Sequence, residues 1–276
     1  MTQSPEARST VEPVRAASGS LPLGRVLGVP LEVHWTFSLL LALVVLLDAP
    51  KGAAAVVIGL CWVVALFTCV VVHELAHCVV AHRRGAHVLR IVLLPIGGVS
   101  QLEAMPEEPR DEFAVAAVGP LTSLAVAVLL LGVAVLAGAS VWPPTLLVGS
   151  WWARLAWLNL LLAAFNALPA LPMDGGRMLR AWLARRRPRA EATSLAAKVA
   201  RVLGFAMIAL GVAVDLWLVF IGIFVVLGAG AEDRAAHSAA PRGEADEARP
   251  AAPRSTVSRT SVRAPRDQEI VRQGGM

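Results

Sequence analysis

The chain has 276 residues, of which 57% are hydrophobic and 16% charged, with a formal net charge of +5. Soluble domains run about 45–50% apolar and about 25% charged, so this composition excludes an ordinary soluble protein and reads as an integral membrane protein. The basic residues sit at the ends of apolar runs and in the tails, which ties the positive charge to membrane topology and not to nucleic acid.

In chain order, residues 1–22 read as a disordered lead, with Ser4, Pro5, Ser18 and Gly19 among scattered arginines and no cleavage pattern of a signal peptide. Six spans are the simplest parse of the apolar region after this lead. The first runs from about Val33 to Leu47 and opens on His34-Trp35. The second runs from Ala53 through His73-Glu74-Leu75-Ala76-His77 to Ala81. The third covers Phe113–Ala137 and the fourth Trp151–Leu168. The last two, Val199–Val214 and Leu216–Leu227, form a hairpin around Asp215. A span needs about 17–25 residues, so the first and the last pair are short. From Ala231 the chain turns Arg-, Ala-, Pro- and Ser-rich and cannot bury a core, so residues 231–276 read as a disordered cytoplasmic tail. Residues 23–230 form one membrane-embedded domain.

Arginine sets the orientation. Arg25 precedes the first span, Arg83, Arg84 and Arg90 follow the second, and Arg177, Arg180, Arg185, Arg186, Arg187 and Arg189 follow the fourth. All of them fall on one side if both termini of a multi-pass membrane protein are cytoplasmic. The three cysteines, Cys61, Cys69 and Cys78, lie in apolar runs and read as packing, not as a disulfide framework. Val88–Leu102 is apolar but short, β-branched, and broken by Pro95 and Gly97-Gly98. It reads as a re-entrant, hairpin-like segment, which a membrane tolerates where protein shields it or where it lines a wet cavity.

The chemistry sits in HELAH. On a helix, this spacing puts His73 and His77 one turn apart on one face with Glu74 beside them: two zinc ligands and a general base. Ionisable groups at membrane depth are costly and mark function. A catalytic zinc takes a third protein ligand. His82 and His87 lie just past the helix, Asp215 is on the opposite side, and Glu103, Glu107, Glu108 and Glu112 read as a solvated loop. Asp174 follows the fourth span in Asn166-Ala-Leu-Pro-Ala-Leu-Pro-Met-Asp-Gly-Gly-Arg177, where prolines end the helix and Gly175-Gly176 permit close backbone approach. Such an acid can reach the metal, or it can cap the helix that begins at Arg177.

HELAH in an apolar helix, followed by NALPALPMDGGR, resembles the site-2 protease family of intramembrane zinc metalloproteases. His34-Trp35, Pro95-Ile-Gly-Gly98 and Gly119-Pro120 also match that family's landmarks, and the likeness covers Leu23 to Gly230. It is most like the six-span branch of bacterial sporulation-factor processing proteases. Met173 stands where leucine commonly precedes the aspartate, and no stretch reads as that branch's CBS domain. The resemblance implies an all-α polytopic fold with about six transmembrane helices and a re-entrant hairpin-like segment. It implies one Zn²⁺ held by His73, His77 and Asp174, with Glu74 as general base. Substrate contacts fall to Asn166, whose other reading is a helix-end cap, and to Gly97 and Gly98 in a strand that would pair with an unwound substrate. His34 reads as an interfacial residue or part of a gate. The implied partners are the bilayer and a transmembrane protein substrate such as an anti-sigma factor or a membrane-tethered regulator. The competing readings are a zinc transporter, which would need ionisable residues spread along the spans, and an inactive scaffold for transmembrane helices.

Overall fold

The computed structural model describes residues 19–95, 97–102, 106, 108–142 and 149–238. By its internal contacts the chain divides at residue 239, and residues 240–276 lie outside the described residues, as does most of the expected N-terminal lead.

The protein is mostly helical, with one small sheet ahead of and between the helices. Strand β1 (Ser20–Val26) turns tightly at Leu27 and Gly28, both with positive φ, into the antiparallel strand β2 (Val29–His34). Positive φ at both positions is what a two-residue hairpin turn needs. The sequence reading differs here: β1 starts inside the stretch taken as lead, and His34 ends a strand instead of opening a span. Helix α1 (Phe37–Asp48) and the long helix α2 (Ala53–Arg83) then cross over to β3 (Val88–Leu94), which pairs parallel with β2 and antiparallel with β4 (Gly97–Leu102). A parallel pair requires such a crossover. The strand order is β1-β2-β3-β4. Val29, Leu31 and Val33 of β2 and Ile91 and Leu93 of β3 point to one face and pack on Val63, Phe67 and Cys78 of α2. The opposite face carries a buried pair in which Arg90 donates to Glu32 at 3.1 Å.

Helix α3 (Pro109–Leu136) and helix α4 (Trp151–Asn166) pack together, and helix α5 (Asp174–Leu183) lies against α3. Helices α6 (Arg189–Val214) and α7 (Leu216–Ser238) form a close hairpin. A Cβ at Gly204 would meet the Gly222 carbonyl at 2.9 Å, so small residues set this approach. Both helices are longer than the spans expected from the sequence, α6 at its start and α7 at its end. Asp215 joins them, its carboxylate accepting from the Trp217 N–H at 2.8 Å. Among the described residues four helices, α2, α3, α6 and α7, are long and apolar enough to cross a membrane. At 12 and 16 residues, α1 and α4 are shorter than the two further spans expected.

A buried charge cluster joins four helices. Glu112 of α3, expected in a solvated loop, is 1% exposed. Arg180 of α5 donates to it through Nε at 2.7 Å and to Glu232 of α7 at 3.2 Å, and Arg189 of α6 lies 3.2 Å from the second Glu112 oxygen. Two guanidinium groups thus face the buried Glu112 carboxylate in place of water. Arg180→Ala strips Glu112 of its nearest partner and is expected to cost about 3–5 kcal/mol, read as a fall in unfolding free energy in detergent. Arg180→Lys should retain part of it.

Candidate metal centre

His73 and His77 occupy successive turns of α2 and both are buried. Their Nε2 atoms lie 3.2 Å apart. The Asp174 carboxylate comes to the same point, with Oδ2 at 3.2 Å from His73 Nε2 and 3.1 Å from His77 Nε2. Among the described residues these three are the group of His, Cys, Asp and Glu side chains placed to hold a metal ion.

Local chain chemistry delivers Asp174. The prolines end α4, and the turn Ala170–Met173 packs into the buried alanines Ala196, Ala197 and Ala200 of α6 and Val225 and Ala229 of α7. Pro172 is seated on Gly228, where a Cβ would fall 2.6 Å from the ring. Gly175 and Gly176 lie against the backbone of residues 167–171 so closely that neither has room for a side chain. Asp174 is the first residue of α5, Met173 is its N-cap, and the carboxylate goes to the histidines. Asp174 is therefore not the cap of α5, and its carboxylate joins the two histidines.

Helix α3 holds the imidazoles from behind. His77 Nδ1 donates to the Val115 carbonyl at 2.6 Å, which orients the ring and turns Nε2 toward Asp174. His73 Nδ1 is hydrogen-bonded to the Ser123 hydroxyl at 2.9 Å. Pro120 has no N–H for the Ala116 carbonyl and loosens this stretch of helix. The roles of Ser123 and Val115 were not legible in the sequence, since nothing in an apolar span marks which hydroxyl or carbonyl will face a ligand.

The residues fit a zinc ion. Zinc bonds of about 2.05 Å at the tetrahedral angle put ligand atoms about 3.3 Å apart, close to the separations seen. Two ring nitrogens and a carboxylate oxygen converge on one point, the donor types that hold zinc in proteins. Gly119 leaves the space open: a Cβ there would lie 2.7 Å from His73 Nε2 and closer still to His77 Nε2.

Glu74 turns toward β4, where the Ser100 hydroxyl donates to its Oε2. Gly98 passes against it so closely that a Cβ would stand 2.8 Å from Glu74 Cγ. Gly97 adopts a φ of +145° at the start of the same strand. Asn166 is elsewhere engaged: its Nδ2 donates to the Leu162 carbonyl of its own helix at 3.0 Å. His34 Nδ1 is 2.8 Å from the Thr36 hydroxyl.

Fold and site together define a protein with long apolar helices and a histidine–histidine–aspartate cluster, assembled from two distant segments, that could hold a metal ion. The chain belongs to peptidase family M50, the family of the site-2 proteases: that family's model matches residues 61–144 and 144–211. It is 35% identical over 219 residues to the zinc metalloprotease MJ0392 of Methanocaldococcus jannaschii, covering 78% of this chain and 61% of that one. It is equally 35% identical, over 232 residues, to the putative zinc metalloprotease Rip3 of Mycobacterium tuberculosis, covering 78% of this chain and 58% of the relative. The chain thus spans about three-fifths of the length of these curated relatives. The solved structure of the site-2 protease from M. jannaschii matches with a TM-score of 0.58 and 33% identity, covering 78% of this chain and 95% of that one. With four long apolar helices and this family, the chain is a multi-pass membrane protein.

Proposed function

We propose that the protein is an intramembrane zinc metalloprotease that hydrolyses peptide bonds in or near the transmembrane segments of membrane-anchored proteins. The observation that carries this reading is the convergence of His73, His77 and Asp174 beside Glu74. His73, His77 and Asp174 would hold one Zn²⁺, which when bound lowers the pKa of a water toward about 7 and polarises a carbonyl. Glu74 is the general base: it takes a proton from water and returns it to the leaving amine. Ser100 orients the Glu74 carboxylate, and the Gly98 backbone beside it leaves room for a substrate chain to lie along β4. Asn166 contributes a polar amide at the end of α4.

In this reading α1 and α4 complete six spans, and the β3–β4 hairpin is re-entrant, lying at membrane depth within a catalytic domain that runs from β1 through α7. Both termini face the cytoplasm of a bacterial cell, and the centre opens near that face, where water reaches it. Substrates are single-span regulators such as anti-sigma factors or membrane-tethered transcription factors.

Zinc-loaded protein in detergent should cleave such a membrane-anchored reporter, lose cleavage with a chelator and regain it with zinc. Failure to cleave a panel of such reporters at full zinc loading would overturn the reading. Asp174→Asn is expected to lower bound zinc well below one per chain by elemental analysis, and an unchanged stoichiometry would assign the third ligand elsewhere.

A further inference from the structure

Three consecutive arginines, Arg185, Arg186 and Arg187, fill the turn between α5 and α6, and the buried cluster around Glu112 does not absorb them. Arg189 turns inward to Glu112. Arg187 comes no nearer than 4.0 Å to Glu191, in an exposed pair of the kind that contributes little. The side chains of Arg185 and Arg186 make no hydrogen bond or ion pair among the described residues. With Trp182 and Leu183 the three arginines line a recess of about 260 Å³. Its lining residues thus combine three cations with two apolar side chains, and Trp182 is 58% exposed.

Ion pairs give the level of this turn. Arg84, just past the end of α2, pairs with Asp111 in the first turn of α3. Glu112, next in sequence, pairs with Arg189, the first residue of α6. Arg180 of α5 links Glu112 to Glu232 near the end of α7. The end of α2, the starts of α3 and α6 and the end of α7 therefore meet at one end of the four long apolar helices. Residues 185–187 come immediately before α6 at that end. In a multi-pass membrane protein such an end is where hydrocarbon gives way to phosphate headgroups and water. An exposed tryptophan beside arginines is the side-chain pattern of that boundary.

We infer that this recess binds the phosphate group of an anionic phospholipid, held by Arg185, Arg186 and Arg187, with Trp182 and Leu183 against the lipid's glycerol and upper acyl carbons. Guanidinium groups match phosphate oxygens two at a time, and basic pockets at the ends of membrane helices take anionic headgroups. Place and lining select the occupant. Inorganic phosphate would use the guanidinium groups and leave Trp182 and Leu183 in water. A phospholipid satisfies both parts of the lining, and it is present at this level wherever the helices span a bilayer. Lipid binding here needs neither the metal nor proteolysis.

The test uses full-length protein in detergent, titrated with dioleoylphosphatidylglycerol or dioleoylphosphatidylcholine, with bound lipid counted by native mass spectrometry. Phosphatidylglycerol should bind in clear preference to phosphatidylcholine. Arg185→Gln with Arg186→Gln should weaken phosphatidylglycerol binding about thirtyfold, the worth of two arginines beside an anionic lipid. Thermal stability should not change, since both side chains are exposed. Arg83→Gln with Arg110→Gln removes the same charge from the same end of the helices and should leave that affinity nearly unchanged. Equal losses in the two double variants would overturn the site and leave only diffuse attraction of anionic lipid to a basic surface. Full affinity in Arg185→Gln with Arg186→Gln would overturn it outright. Inorganic phosphate and ATP should bind more weakly than phosphatidylglycerol. Tighter binding of either at the same arginines would assign the recess to a soluble phosphate ligand and overturn the lipid.

Discussion

Gly119→Ala is expected to empty the metal centre. The methyl group would stand 2.7 Å from His73 Nε2 and closer still to His77 Nε2, in the space that the three ligand atoms enclose. Neither imidazole can retreat, because His73 is held through Nδ1 by Ser123 and His77 by the Val115 carbonyl. The loss should exceed the about 10–100-fold weakening typical when an outer partner of a ligand is changed. Zinc measured by elemental analysis on purified protein should fall far below one per chain, and cleavage with it. Gly132→Ala on the same helix is the matched control. Nothing lies within 4 Å of a Cβ there, so that variant should bind zinc normally and be slightly more stable. Normal zinc loading in Gly119→Ala would mean that the ion sits elsewhere.

Glu74→Gln should do the opposite: keep zinc and lose the reaction. Its carboxylate is not among the three converging ligand groups and is engaged with Ser100 instead. The amide preserves size and can still hydrogen-bond the Ser100 hydroxyl, but it cannot accept a proton from water. General-base catalysis is worth about 10²–10⁴-fold, so reporter cleavage should drop by about that factor at full zinc stoichiometry. Cleavage within about threefold of wild type would remove Glu74 from the role of base.

The two halves of the His73–His77–Asp174 cluster were legible in the sequence because each is built from local rules. HELAH declares itself through helical periodicity, and the Asp174-Gly-Gly turn through prolines that stop a helix and glycines that need no side-chain room. The hairpin at β3–β4 was legible in Pro95 and Gly97-Gly98. What stayed hidden depends on pairing across the chain. Strands β1 and β2 looked like lead and span because Leu21 and Leu23 are exposed, and the partner of β2 arrives only after two helices. Glu112 looked solvated because the arginines that bury it lie on α5 and α6. Asn166 drew attention as the motif's amide, while Asn159, unmarked inside an apolar run, carries a buried oxygen without a partner among the described residues.

The seating of Pro172 on Gly228 has a mechanical side. It ties Asp174 to the α6–α7 hairpin, whereas both histidines are braced by α3 and stand beside the sheet. His73 and Asp174 thus meet across 101 residues of chain. A single ion held by all three side chains would cross-link that long loop, and such a closure restricts the unfolded chain more than the folded one, so that metal loading and resistance to unfolding would rise together.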